Sequence, residues 1–330
     1  MLTDYHAKYF AHEIDKRSAP NSIEKFGATL VDAQVDLNPH QVDAALFAFR
    51  SPLSKGAVLA DEVGLGKTIE AGLLISQKWA ERKRKILILC PASLRKQWQQ
   101  ELLDKFFIPS IILEARSFNA EIKKGNFNPF LNDSIVICSY QFARSKEVYV
   151  EQTNWDLAVI DEAHRLRNVY KTSNKIGRSI KNALAKVPKI LLTATPLQNS
   201  LLELYGLVSI IDDHAFGDLK SFKAQYSRVS ADSDPAVFTD LKKRLAPICK
   251  RTLRRQVIEY INYTNRIALV EEFFPREDEL RLYELVSDYL RRDQLYALPN
   301  SQRSLLTLIL RKLLSSSTYA ITGTLAALVN

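Results

Sequence analysis

The segment ADEVGLGKT, residues 60–68, lies directly behind an apolar run, GAVLA, and ahead of an amphipathic stretch, TIEAGLLISQKWAERKR, that opens at Thr68. Few short segments constrain a chain more. A glycine-rich turn between a buried strand and a helix can fold its backbone around phosphate groups, while the helix N-terminus aims unsatisfied N–H groups at them. In that frame Asp61, Glu62, Val63, Gly64, Leu65 and Gly66 form the loop. Lys67 would reach the β- and γ-phosphates of a bound nucleotide, and the Thr68 hydroxyl would ligate Mg2+. The general pattern GxxxxGK[ST] puts glycine at position 61, where this chain carries Asp61.

The sequence around the loop predicts what positions it. Between Gly56 and Thr195 short apolar runs alternate with longer amphipathic stretches, the pattern of parallel strands joined by crossover helices. The runs are GAVLA (56–60), KILILC (85–90), SIVICS (134–139), LAVID (157–161) and KILLTA (189–194), with IIL (111–113) as one more. Each is continuously apolar rather than alternating, as expected of strands covered by helices on both faces. The fold class is therefore α/β, a three-layer sandwich around a mostly parallel sheet. Ser93 reads as the N-cap of the helix LRKQWQQELLDKF. From about Asp212 the pattern turns helical and charged, including FTDLKKRLAPICKRTLRRQ; RIALVEEFFP (266–275) is an isolated β-like stretch, and an apolar helical run closes the chain.

Two further strand ends carry chemistry. LAVIDEAH delivers Asp161, Glu162 and His164 at the C-terminal end of a buried strand. Adjacent carboxylates are costly to hold together unless a cation offsets their charge; Asp161 would hold Mg2+, and Glu162 would orient and deprotonate an attacking water. KILLTATPLQN ends another strand in Thr193, Ala194 and Thr195, and Pro196 turns the chain away from helix. Small hydroxyl residues there can bond to the acidic pair and register whether a γ-phosphate is present.

Lys plus Arg number 46 against 37 Asp plus Glu, a formal charge of +9 that attracts a polyanion such as nucleic acid. Cys90, Cys138 and Cys249 have no metal-caging spacing, and the first two end apolar runs as small buried hydrophobes. The N-terminus, MLTDYHAKYFAHEIDKR, has no apolar core of a signal peptide, and no stretch approaches the roughly 18 apolar residues of a membrane span. A reducing, cytoplasmic setting is expected.

The ordered set LNPHQ (37–41), DEVGLGKT (61–68), ILCPASLRKQWQQE (88–101), DEAH (161–164) and LLTATPLQNSLLELYGL (191–207) resembles the first RecA-like lobe of Swi/Snf-type ATPases, within the DEAD/DEAH superfamily. It is most similar to the bacterial RapA/HepA-like branch and to the Swi/Snf-type ATPases of phage defence. Asp at position 61 is what that family carries. The resemblance implies a bacterial, nucleoid-associated ATPase acting on nucleic acid, double-stranded DNA above all, with RNA polymerase or defence-complex subunits as partners. It implies that Gln41 reads the adenine edge. It also implies that Pro91, Ser93, Ser139, Tyr140 and Asn199 lie near a DNA backbone or support that surface. Trp98 reads as a helix-packing residue rather than a base stacker, and Arg251, Arg254 and Arg255 as a solvated face rather than phosphate contacts.

On this basis residues 1–35 are an N-terminal extension, 36–211 the RecA-like ATP-binding lobe, 212–275 a helical insertion completing it, and 276–330 a helical bridge toward a second lobe. The arginine-rich QxxGRxxRxGQ-like motif of that second lobe does not occur after Leu207. The expectation is an ATP-driven translocase on duplex DNA, with little turnover by this lobe alone. A strand-separating helicase, or a nucleic-acid- or partner-binding module without turnover, is the alternative.

Overall fold

A computed structural model describes residues 3–15, 37–50, 55–198, 200–226, 235–260, 274–292 and 303–329. It divides into two compact units, Met1–Tyr263 and Thr264–Asn330. The larger is built on seven strands: β1 Gly56–Leu59, β2 Ile86–Cys90, β3 Ser110–Ile112, β4 Ile135–Ser139, β5 Leu157–Asp161, β6 Lys189–Leu192 and β7 Cys249–Lys250. They form one sheet in the order β3-β4-β2-β5-β6-β1-β7, and every pairing is parallel.

The continuous apolar runs are explained by two cores, one on each face. Because side chains alternate across a strand, Ala57, Leu59, Ile86, Ile88, Ile137 and Val159 pack into one core, with Trp98, Leu102 and Phe106. Val58, Leu87, Leu89, Val136, Ala158 and Ile160 pack into the other, with Leu204, Leu207 and Val208. A parallel sheet presents the C-terminal ends of its strands along one edge, where open α/β folds bind ligands. Here that edge carries the glycine-rich loop after β1, the acidic motif after β5 and the TATP turn after β6.

Two elements differ from expectation. Ser93 caps no helix: it lies exposed in a 3-10 turn, Ala92–Leu94, that precedes the helix Arg95–Phe106. The Leu94 N–H is already taken by the Pro91 carbonyl, so the chain is turned before a side-chain cap is needed. Secondly, Cys249–Lys250 is a strand within a segment that reads as helical. The helix Pro235–Leu245 stops short of Pro247, and Cys249 and Lys250 then pair with Val58 and Leu59. Of the stretch 266–275, residues 266–273 lie outside those described.

The three cysteines are free thiols. Burial pushes those of Cys90 and Cys249 up to about 12, and that of Cys138 well above its ordinary value, so all three stay protonated. The smaller unit holds the helices Glu277–Arg291, Arg303–Ser316 and Thr318–Val329, packed through Val286, Leu290, Leu310, Leu314 and Ile321. No helix among the described residues is long and apolar enough to cross a membrane.

Candidate active site

The loop after β1 is built around two glycines with positive φ, Gly64 at 86° and Gly66 at 88°, a region that side chains with a Cβ rarely adopt. Gly66 also caps the helix Lys67–Ala80 without a side-chain bond, which leaves the first N–H groups of that helix for another acceptor. Nζ of Lys67 folds onto the loop, donating to the carbonyls of Asp61 at 2.9 Å and Glu62 at 3.3 Å. Asp61 is fully buried, and its Oδ1 accepts the Thr252 N–H at 2.7 Å. The residue that departs from the general loop pattern therefore ties the loop to the end of β7.

Beneath the loop His40, Asp61 and Glu70 bring one potential ligand atom each within 4.8 Å of one another. Glu70 is fully buried, and neither of its oxygens meets a hydrogen-bond partner at standard geometry. Burial, then the Asp61 charge beside it, pushes the Glu70 carboxyl up to about 9. It therefore keeps its proton at neutral pH.

Across the cleft, Asp161 ends β5 with both carboxylate oxygens engaged. Oδ2 accepts the indole N–H of Trp98 at 2.8 Å, and Oδ1 accepts the Glu162 N–H at 2.8 Å. The Tyr140 hydroxyl donates to the Asp161 backbone carbonyl. Burial raises the Asp161 carboxyl above its ordinary value, and the Trp98 bond opposes the shift. Glu162 is held in the left-handed region at φ 53°, a conformation that costs a residue with a Cβ about 1–2 kcal/mol. Its Oε2 lies 3.0 Å from Nδ1 of His164.

Loop and acidic motif face one cavity of about 410 Å³, lined by Gly64, Gly66, Lys67, Thr68, Asp161 and Glu162. Leu94, Gln97, Trp98, Glu101 and Lys105 close another side. Gln97, Glu101 and Lys105 are joined by hydrogen bonds and escaped the sequence reading, although their four-residue spacing puts them on one helix face. A hydroxyl and a buried carboxylate raised by desolvation are a fitting donor set for Mg2+, since a cation restores the charge that burial disfavours.

A family model described as the SNF2-related domain matches residues 24–318. The chain belongs to that family. It is a Snf2-type motor lobe. It is 32% identical over 224 residues to the RNA polymerase-associated protein RapA of Serratia proteamaculans, which covers 66% of this chain and 23% of RapA. Its fold matches the Sulfolobus solfataricus SWI2/SNF2 ATPase core in complex with dsDNA, with a TM-score of 0.59, 20% identity, and 86% of this chain and 59% of that one covered. The Sulfolobus solfataricus SWI2/SNF2 ATPase core domain matches at 0.57 and 21%, covering 86% and 57%. The chain thus spans under a quarter of the RapA relative and under two thirds of either core.

The remaining positions in this Snf2-type lobe are dispersed. Gln41 is buried with both amide ends engaged, Nε2 on the Leu65 carbonyl at 3.0 Å and Oε1 on the Asn38 N–H at 3.1 Å, so reading a base requires exchanging those bonds. Thr193 is fully buried, and its hydroxyl accepts the N–H of exposed Thr195 at 3.2 Å across half-buried Ala194. Among the described residues no hydrogen bond joins this turn to Asp161, Glu162 or His164. Pro91 and Tyr140 are buried, and Ser139 is buried as the N-cap of the helix Tyr140–Ser145; Ser93 is exposed. Asn199 lies outside the described residues. Next to it, Arg167 donates to Gln198 at 2.7 Å and pairs with buried Glu203 at 3.4 Å, linking the segment after DEAH to the one after TATP.

Proposed function

We propose that this chain is the ATP-hydrolysing first lobe of a motor that translocates on double-stranded DNA and remodels protein–DNA complexes. The observation that carries the reading is the convergence of Lys67, Thr68, Asp161 and Glu162 on one cavity. In it, Lys67 exchanges the loop carbonyls for the β- and γ-phosphates, and the N–H groups at the start of its helix receive phosphate oxygens. Thr68 and Asp161 hold the Mg2+, which when bound offsets the charge of those oxygens. Glu162, fixed by its backbone and close to His164, orients a water and takes its proton. Gln41 serves the adenine side.

Duplex DNA is proposed as the track because the Sulfolobus relative is described in complex with dsDNA and because a charge of +9 suits a polyanion. RNA polymerase is the partner class that the RapA relative's name brings forward, with a defence-complex subunit as the other. No arginine is among the described residues that line the cavity. An arginine aimed at transition-state charge is worth about a thousandfold or more in rate, and a second RecA-like lobe is proposed to supply it.

The test is ATP turnover with duplex DNA, with single-stranded nucleic acid and with neither, on this chain alone and supplied with a second lobe. Duplex-stimulated turnover that needs the second lobe and disappears in Lys67→Ala and Glu162→Gln is the expected result. Stimulation by single strands alone moves the assignment to a strand-separating helicase, and no response to any nucleic acid removes the translocase reading.

A further inference from the structure

A phosphate-binding loop works when its peptides turn N–H groups, rather than carbonyls, toward the anion. In a planar trans peptide the C=O and the following N–H point to opposite sides. A donor that holds a carbonyl on the outer side of the loop therefore aims the next N–H inward. Two loop carbonyls are held in this way by side chains from outside the loop. The guanidinium of Arg254 donates to the Val63 carbonyl through Nε at 3.0 Å and Nη2 at 2.6 Å, and its backbone N–H donates to Glu62 Oε2 at 2.7 Å. The Leu65 carbonyl accepts from Gln41 at 3.0 Å and lies 2.9 Å from Nε2 of His40.

The N–H groups opposite those carbonyls belong to Gly64 and Gly66. Both glycines line the cavity with Lys67 and Thr68, and His40, Gln41 and Arg254 do not. Val63 lines the cavity too, so the three donors reach the loop from outside the cavity while the loop itself forms the wall. The bonds of Arg254 span 191 and 192 residues of sequence, so they are a tertiary feature and not a by-product of local turns. The guanidinium also polarises the peptide it holds, which makes the Gly64 N–H a stronger donor.

We propose that Arg254 is a positioning residue for nucleotide binding: it fixes the Val63–Gly64 peptide so that the Gly64 N–H faces the phosphates, without itself touching them. The proposal rests on reading the loop as an ATP site. Arg254 is exposed, as the reading of a solvated face expects, and it holds the loop from that surface.

The experiment is equilibrium binding of MgADP and of Mg-pyrophosphate to the 330-residue chain, for the wild type, Arg254→Ala, Arg254→Lys and Lys67→Ala, with thermal melting as the check on folding. Arg254→Ala is expected to weaken both ligands by the same factor, about tenfold, the scale of losing a charge-assisted hydrogen bond. Arg254→Lys, which keeps a donor, recovers part of the loss, and it carries the comparison if Arg254→Ala does not fold. The salt dependence of MgADP affinity stays the same in both variants, because no ion pair to phosphate is lost.

Three results overturn the proposal while leaving the ATP reading intact. They are unchanged affinities in both Arg254 variants beside a loss in Lys67→Ala, a loss for MgADP without one for pyrophosphate, and a flatter salt dependence that marks direct contact with phosphate. If the wild type takes up neither ligand, the ATP reading itself fails, and this inference falls with it.

Discussion

Replacing Glu70 with glutamine tests the protonated carboxyl beneath the loop. The folded chain holds the Glu70 proton up to about pH 9, whereas its ordinary value is 4.5. Below 4.5 folded and unfolded chains both carry the proton, and its burial costs nothing extra. As pH rises past that point the unfolded chain releases a proton that the folded chain keeps, so stability falls by about 1.4 kcal/mol per pH unit until the folded group also titrates. Between pH 5 and pH 8 this group alone removes roughly 3–4 kcal/mol from the wild type. Glu70→Gln keeps the shape and a donor toward Asp61 but has nothing to titrate. Its second amide hydrogen is left unpaired at a cost of about 1–3 kcal/mol, so the variant is less stable than the wild type at pH 5 and overtakes it by pH 8. Urea unfolding at four pH values, followed by the fluorescence of buried Trp98 and Trp155, reads the larger unit directly. A constant offset between the two proteins from pH 5 to 8 refutes a neutral Glu70. So does a wild type that loses stability at pH 8 when a chelator is added, which would mean that a cation holds the cluster.

Two other substitutions probe the site's supports. Trp98→Phe keeps a smaller aromatic ring in place but removes the N–H that Asp161 Oδ2 accepts at 2.8 Å. By analogy with groups that orient metal ligands, it should raise the Mg2+ requirement for hydrolysis about tenfold or more; an unchanged Mg2+ dependence shows that the indole only fills space. Gly206→Ala would place a methyl 1.8 Å from the Arg167 carbonyl oxygen, so the helix Leu201–Ile211 must shift away from the segment after DEAH. The expected cost is about 1–3 kcal/mol or more, and an unchanged melting temperature contradicts that close approach.

What the sequence reveals here divides by the range of the interactions. Strands β1 to β6 are legible because strands covered on both faces are apolar along most of their length, and because glycine is favoured where a loop takes positive φ, as at Gly64 and Gly66. The chemistry proposed for Lys67, Thr68, Asp161 and Glu162 is placed at the ends of such strands. The supports of that chemistry are not local. Trp98 reaches Asp161 across 63 residues, and the pairing of Cys249 with Val58 exists only once the sheet is assembled. Nothing in ICKRTLRR separates a strand followed by a clasp from a charged helix, since a two-residue edge strand has no periodicity and arginine suits either setting. Asp61 shows the difference most clearly. From the sequence it is a departure from a pattern; in the fold, its carboxylate accepts the Thr252 N–H while the backbone of Glu62 donates to the Thr252 carbonyl at 3.1 Å. The loop is thus tied to the strand end on which Arg254 also depends, so a change to Asp61 should disturb the same peptide orientation that Arg254 fixes. The residue that departs from the motif as a pattern joins the loop to the sheet as a structure.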